Sequence, residues 1–283
     1  MSTVVFFHAH PDDEALASGG TMARMADEGH RVVLVVATRG EEGEPVAGVL
    51  VDGEVLGDRR TAEVREAASI LGVARVAFLD YRDSGMAEDP ANGHPGCFWQ
   101  ADVESATDRL RTVLADEEVD LLVVYDSHGG YGHPDHIQVH RVGTNWARRR
   151  AADGGRPIRL RWVTMNRDVI RTSIDAVVEV AETAAAAGEE AWPDEAMLEL
   201  RRERAESDSF GMPDAEITHG VDVTSVLVRK RAAMRAHASQ IADDSFFLAM
   251  PDEAFAMAFG TEWFVDPDHP RDGGSQRHGL LLE

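Results

Sequence analysis

Apolar runs without polar alternation punctuate the first half of the chain, and each is followed by apolar positions at helical spacing. Residues 4–8 form the first run. From 14 to 28, Leu16, Met22, Ala23 and Met25 fall on related turns, and Gly29 closes the pattern. Residues 31–38 are again almost continuously apolar. Val-rich runs of this kind suit strands buried on both faces of a parallel sheet, so the opening reads as βαβ. The pattern repeats, with a helix over 62–71, a strand near 76–79, a helix over about 103–115 and a strand over 121–125. This predicts an α/β fold with a doubly wound, mostly parallel, Rossmann-like sheet and helices on both faces. A late strand at 220–223 and a helix over 226–239 are the expected C-terminal elaborations.

Between these elements, Asp52-Gly53 is flanked by apolar residues, a strong hairpin signal, and predicts a flap over 49–56. Residues 173–208 are rich in Ala, Glu and Arg and read as a helical insertion, serving as a lid or an oligomer surface. A homo-oligomer is left open on this ground. The polar, Pro- and Gly-bearing tail over 266–283 is expected to be poorly ordered, leaving 1–265 as one catalytic domain. No internal repeat is visible.

Composition narrows the classes of partner. The 283 residues are 43% hydrophobic, enough for a substantial core, and 51 acidic against 28 basic residues give a net charge of -23. That charge works against nucleic acid and anionic membrane surfaces and suits a small neutral or cationic substrate. One cysteine, Cys97, excludes an internal disulfide framework and fits a reducing compartment. No segment has the roughly 20 apolar residues of a membrane span, and no basic leader precedes Val4, so a cytoplasmic location without membrane insertion is the default expectation.

Two short segments carry the chemistry: His10-Pro11-Asp12-Asp13-Glu14, directly after the first strand, and Gly132-His133-Pro134-Asp135-His136, shortly after the strand at 121–125. In a doubly wound sheet, ligands sit beyond the carboxyl ends of strands, where both segments lie. A catalytic zinc usually takes three protein ligands and keeps a fourth position open. His10, Asp13 and His136 fill that set with one Zn2+ per chain, and Fe2+ or Co2+ would fit the same donors. Asp12, Asp135 and His133 remain as base, orienting group and acid. Pro11 biases His10 toward extended backbone, so the chain can turn sharply and point the two aspartates apart. Taken singly, Asp12 or Asp13 could cap the following helix and the second segment could be a surface turn; together they point to one metal site.

These residues resemble the LmbE-like or PIG-L-type zinc deacetylases, which include de-N-acetylases of glucosaminyl-inositol compounds and amidases of mycothiol conjugates. The resemblance runs through 8–14, 38–44, 81–86 and 129–136, and more weakly through Lys230-Arg231 and 236–240. It implies the same zinc ligands, Asp12 as general base, and His133, held by Asp135, as charge stabiliser or proton donor. It implies further that Tyr131 turns toward the substrate carbonyl and that Arg60, Glu41 and Asp83 contact substrate. The expected activity is hydrolysis of an N-acyl, typically N-acetyl, amide of an amino sugar or mycothiol-like conjugate by metal-activated water. His94, His128 and His140 are further imidazoles near these motifs, and His140 reads as an ordinary hydrogen-bonded residue.

Three other readings compete with this one. A metallophosphohydrolase would need more bridging carboxylates than these segments offer. A nucleotide-binding Rossmann module would need a Gly-rich phosphate loop where His-Pro-Asp-Asp-Glu stands, and these carboxylates would repel a pyrophosphate. A non-catalytic scaffold would be supported by a missing metal ligand, and none is missing.

Overall fold

A computed structural model describes residues 1–173 and 210–279. Seven strands form one sheet in the order β3-β2-β1-β4-β5-β7-β6. Strands β1 (Thr3–His8), β2 (Arg31–Val36), β3 (Arg75–Phe78), β4 (Val119–Tyr125) and β5 (Arg159–Thr164) are parallel to their neighbours within this set. The edge is finished by β6 (His219–Asp222) and β7 (Thr261–Val265), with β7 antiparallel to both β5 and β6. The apolar residues of β1, β2 and β4 are almost all fully buried, which is why their sequences show no alternation.

The intervening chain forms α1 (Asp13–Ala17), α2 (Gly19–Asp27), α3 (Leu56–Leu71), α4 (Val103–Val113), α5 (Gly129–Gly132) and α6 (Pro134–Ala152). After β6 comes α7 (Leu227–Ala236), which packs on α1, α2 and α3, whereas α4 packs on α6. Two short helices, α8 (Phe246–Ala249) and α9 (Asp252–Phe259), lead into β7. None of the described helices is long and apolar enough to cross a membrane.

The predicted α/β architecture is present, with three differences. The continuous helix expected over 14–28 is broken at Ser18, whose φ is -143°, because Glu262 of β7 caps the backbone N–H groups of Gly20 (2.8 Å) and Thr21 (2.7 Å) and starts a second helix there. Asp52-Gly53 makes a tight turn closed by Glu54 N–H to Val51 O (3.0 Å), but no strands flank it; Val51 and Val55 face solvent, so no packed surface rewards pairing. Strands β5 and β7 complete the sheet although the reading above left both unassigned. Beyond Asp266 the polar tail is held to the sheet at Arg277, which bridges His219 of β6. The helices expected within 173–208 lie, from 174 onward, outside the described residues.

The sheet places β1 between β2 and β4, with Phe6 opposite both Leu34 and Val123. The chain runs outward from β1 through β2 to β3 and then crosses back to β4 on the other side of β1, so the crevice beyond His8 and Tyr125 is the topological switch point. Gly143 lets α6 lie close on this end of the sheet: a Cβ there would stand 2.4 Å from Val124 Cγ1.

Candidate metal centre and active site

Beyond β1 the chain passes through Ala9 and His10 and turns at Asp12, which has φ 117° and ψ -31°. A non-glycine residue in such a conformation costs of order 1–3 kcal/mol and persists where its surroundings over-determine it. Arg60 of α3, itself buried, supplies part of that hold. Its guanidinium donates to Pro11 O (2.6 Å), Gly40 O (2.8 Å) and Asp12 Oδ2 (3.2 Å). Asp13 then opens α1, and its Oδ2 accepts the His10 backbone N–H at 2.8 Å. The two aspartates point apart, as the Pro-containing turn predicts.

Beyond β4, Asp126 fixes the return loop. Its Oδ1 accepts from the backbone N–H groups of His128 (3.0 Å) and Gly130 (2.8 Å), and its Oδ2 accepts the Thr164 hydroxyl (2.6 Å). Gly129 sits at φ 65° with no room for a Cβ, which would stand 2.6 Å from His136 Cβ. That close approach lets the His136 Nδ1–H donate to Gly129 O at 3.0 Å. Its Nε2 is thereby left facing the crevice as a ligand atom.

Three donors meet there. His10 Nδ1 lies 3.3 Å from Asp13 Oδ2, His136 Nε2 lies 3.3 Å from Asp13 Oδ1, and the two nitrogens are 3.4 Å apart. Tetrahedral bonds of about 2.0–2.1 Å to a zinc-like cation require donor separations of about 3.3–3.4 Å. Each nitrogen faces a different oxygen of Asp13, so His10, His136 and the Asp13 carboxylate can hold a divalent cation between them, and all three are buried. His10, His133 and His136, and His10, Asp83 and Asp135, also bring their donor atoms close enough to share a metal. His10 uses its other nitrogen differently: Nε2 lies 3.3 Å from Asp135 Oδ2 and 3.4 Å from Asp83 Oδ1. Burial works against an imidazolium, yet Asp83, Asp13 and Asp135 together raise the His10 pKa well above its ordinary value. Burial likewise opposes ionisation of Asp13, but His136 and His10 hold its pKa well below the usual carboxylate range.

His133 is the third imidazole at this end, its ring centre 4.5 Å from that of His10 and 4.9 Å from that of His136. The sequence reading has Asp135 holding His133. The structure divides that statement: the Asp135 backbone N–H donates to His133 Nδ1 (3.1 Å), whereas the Asp135 carboxylate faces His10 and Ser84. The peptide geometry of a helix N-terminus sets this, since His133 is the N-cap of α6 and the carboxylate of Asp135 projects off the first turn. With Nδ1 accepting, the proton of neutral His133 is on Nε2. Burial, with His10 and His136 nearby, lowers its pKa and keeps it in that form.

Tyr131 stands at the mouth, 42% exposed, with its ring 5.0 Å from that of His136. The other expected contacts are set back from it. Glu41 Oε2 accepts from the backbone N–H of Arg39 (3.3 Å) and Asp83 (3.2 Å). Asp83 is buried, and besides His10 it accepts from Gly85 N–H (2.9 Å) and Glu42 N–H (3.2 Å). Arg60 is committed to Pro11, Gly40 and Asp12 as described. The His140 Nδ1–H donates to Tyr125 O (2.9 Å) and the ring packs on Trp162, away from the cluster. His94 lies exposed in an open groove with Glu42, Arg82 and Asp89.

Two residues with no role in the sequence reading support the centre. Ser84 clasps Asp135 through both its backbone N–H (3.0 Å) and its hydroxyl. Tyr125, the last residue of β4, stacks on His136 (ring centres 4.1 Å, planes 11° apart), and its hydroxyl meets His8 Nδ1 (3.0 Å) and accepts the Ala9 backbone N–H (3.3 Å). Ser84 lies inside the 81–86 segment, but neither its contact with Asp135 nor the stacking of Tyr125 on His136 has a sequence signal, since each joins α6 to a different part of the fold, the loop after β3 or the end of β4.

Residues 5–147 match the family described as PIG-L, GlcNAc-PI de-N-acetylase. The chain belongs to the PIG-L family. It is 39% identical over 276 residues to the 1D-myo-inositol 2-acetamido-2-deoxy-alpha-D-glucopyranoside deacetylase of Acidothermus cellulolyticus, covering 94% of this chain and 88% of that protein. It is 39% identical over 279 residues to the enzyme of the same name from Thermomonospora curvata, covering 95% and 91%. Among solved structures, the A40926 pseudoaglycone deacetylase Dbv21 shares the fold with a TM-score of 0.59 at 17% identity, covering 93% of this chain and 96% of that one.

Proposed function

We propose that this PIG-L family member is a metal-dependent N-deacetylase whose substrate is an N-acetylated amino sugar linked to a cyclic polyol, of the kind named for its relatives. Release of acetate and a free amine is the reaction. The observation that carries the chemistry is the donor set of His10, Asp13 and His136 with the Asp12 carboxylate beside it. A divalent cation such as zinc held by those donors would supply Lewis-acid polarisation of the carbonyl and would lower the pKa of a water toward about 7.

The chain's own groups account for the proton movements. Asp12 takes a proton from the attacking water. Burial raises its pKa to about 6 while Arg60 opposes the rise, a balance that leaves it ionised at neutral pH yet basic enough to accept. As the carbonyl oxygen gains charge, the Nε2–H of neutral His133 and the Tyr131 hydroxyl donate hydrogen bonds to it. A neutral imidazole with a lowered pKa is a hydrogen-bond donor rather than an acid, so Asp12 passes its proton to the leaving nitrogen as the C–N bond breaks.

The test is acetate release from N-acetylglucosaminyl-inositol by protein of known metal content, compared with mycothiol conjugates and free N-acetylglucosamine. Turnover of the inositol compound that disappears on chelation and returns with Zn2+, Fe2+ or Co2+ supports the reading and identifies the effective metal. Preference for a thiol conjugate cleaved at its amide would replace the substrate, and no amide hydrolysis with any loaded metal would overturn the reading.

A further inference from the structure

The weakest of the sequence segments, 236–240, lies far from the others in the chain and has no part in the chemistry above. In the fold it reaches the back of the site. His237 follows the last turn of α7, and a tight turn (Ile241 N–H to His237 O, 2.8 Å) directs the chain away again. Because α7 packs across α1, α2 and α3, the imidazole is brought against the start of α1. His237 Nε2 lies 2.6 Å from Glu14 Oε1, and both residues have no exposed surface. The second oxygen of the same carboxylate, Oε2, accepts the backbone N–H of Asp12 at 3.0 Å.

Asp12 is thus gripped from two sides. Arg60 holds the carbonyl before it and one oxygen of its carboxylate, while Glu14 holds its amide. The Pro11 carbonyl and the Asp12 amide belong to one peptide, the one that leads into Asp12, whose φ is 117°. A conformation that local sterics disfavour needs fixed partners on both sides, and Glu14 can serve as one only if its own carboxylate cannot rotate. Among the described residues, its single hydrogen-bonded side-chain partner is His237. Among the same residues His237 Nδ1 is buried with no hydrogen-bond partner, so the Glu14 bond is the one that orients the ring.

We propose that His237 and Glu14 are positioning residues: a buried imidazole–carboxylate pair that holds the Asp12 peptide in its strained turn and so aims the Asp12 carboxylate at the reacting carbonyl. The inference rests on Asp12 being the general base. It makes α7 and the segment after it part of the catalytic apparatus, although neither touches substrate or metal.

The test compares four zinc-loaded variants on N-acetylglucosaminyl-inositol: His237→Phe, which keeps ring volume and removes the donor; His237→Gln, whose amide nitrogen reaches the former Nε2 position; Asp12→Asn; and the His237→Phe/Asp12→Asn double variant. A misplacement of about 1 Å at a reacting group costs about 100-fold. His237→Phe is expected to lose about 100-fold in kcat with KM and zinc affinity, measured by chelator competition, changed less than about threefold. His237→Gln is expected to recover at least tenfold of that loss. In the Asp12→Asn background His237→Phe is expected to have no further effect, because there is no base left to aim. Should His237→Phe not fold, His237→Asn, which stops short of Glu14, carries the same expectations. Equal losses in both backgrounds would overturn the positioning role while leaving Asp12 as base, as would full kcat in the folded His237→Phe protein. Near-normal kcat for Asp12→Asn alone would overturn the base assignment and with it this inference.

Discussion

Asp135→Asn tests how the second nitrogen of a ligating histidine governs the first. The carboxylate of Asp135 is fully buried, with Oδ2 shared between His10 Nε2 (3.3 Å) and Ser84 N–H (3.0 Å), and Oδ1 accepting the Ser84 hydroxyl. Asparagine is isosteric, and its oxygen must occupy the Oδ2 position because both groups facing that position donate. Its NH2 then faces the Ser84 oxygen, which also accepts Trp99 N–H (2.9 Å) and can turn its own hydrogen aside. The fold therefore survives and the charge alone is removed. Loss of such a supporting carboxylate weakens metal binding about 10- to 100-fold, or about 1.4–2.7 kcal/mol. Asp83, 3.4 Å from the same nitrogen, still supports the ring and sets the expectation at the lower end. The sign with pH is also fixed. Opposing its burial, Asp83, Asp13 and Asp135 raise the pKa of metal-free His10, so metal uptake displaces a proton, and removing one carboxylate weakens that competition as well as the metal. The affinity loss is expected to be larger at pH 8 than at pH 6, and the variant to release fewer protons on binding. Titration calorimetry of apo-protein with Zn2+ in buffers of different ionisation enthalpy reads both quantities. An unchanged Kd, or complete loss of binding, would refute the assignment; complete loss would make Asp135 a ligand itself.

Asp12→Asn is expected to keep its zinc and lose about 100- to 10,000-fold in kcat, the usual worth of a general base; Asp13→Ala is expected to lose metal as well, and metal analysis beside kinetics separates the two. Tyr131→Phe and His133→Ala are each expected to lower kcat about 100- to 1,000-fold with a smaller change in KM and normal zinc content. A destabilised but fully active Tyr131→Phe would remove that hydroxyl from the mechanism. The acid limb of kcat/KM reports protonation of Asp12: activity falls as pH drops through its pKa, pushed to about 6 by burial before the counter-effect of a bound cation. Arg60→Met removes a favourable charge and is expected to move that limb upward, whereas Arg60→Lys moves it less; a limb that ignores both would detach Asp12 from it.

Much of this protein is legible without coordinates. Unalternated runs such as Val32–Val36 can only be satisfied by burial on both faces, and that condition fixes a parallel sheet with covering helices. Once β1 and β4 are neighbours, the two His- and Asp-rich segments must converge at the switch point, so the candidate donors could be named from their place after strands. Where periodicity alone was used, it overran. Ser18 breaks a helix because Glu262, more than two hundred residues away in sequence, caps the next one, and Asp52-Gly53 turns without a hairpin because nothing packs on Val51 or Val55. The roles of individual atoms needed the tertiary structure for the same reason. Which nitrogen of His10 faces Asp13, that Asp135 serves His10 through its carboxylate and His133 through its amide, and that His237 stands behind Asp12 are consequences of packing between distant segments. Sequence spacing specifies which groups can meet; hydrogen-bond geometry across the packed elements decides which atom of each does the work, because a buried donor or acceptor must find its partner wherever the fold has placed one.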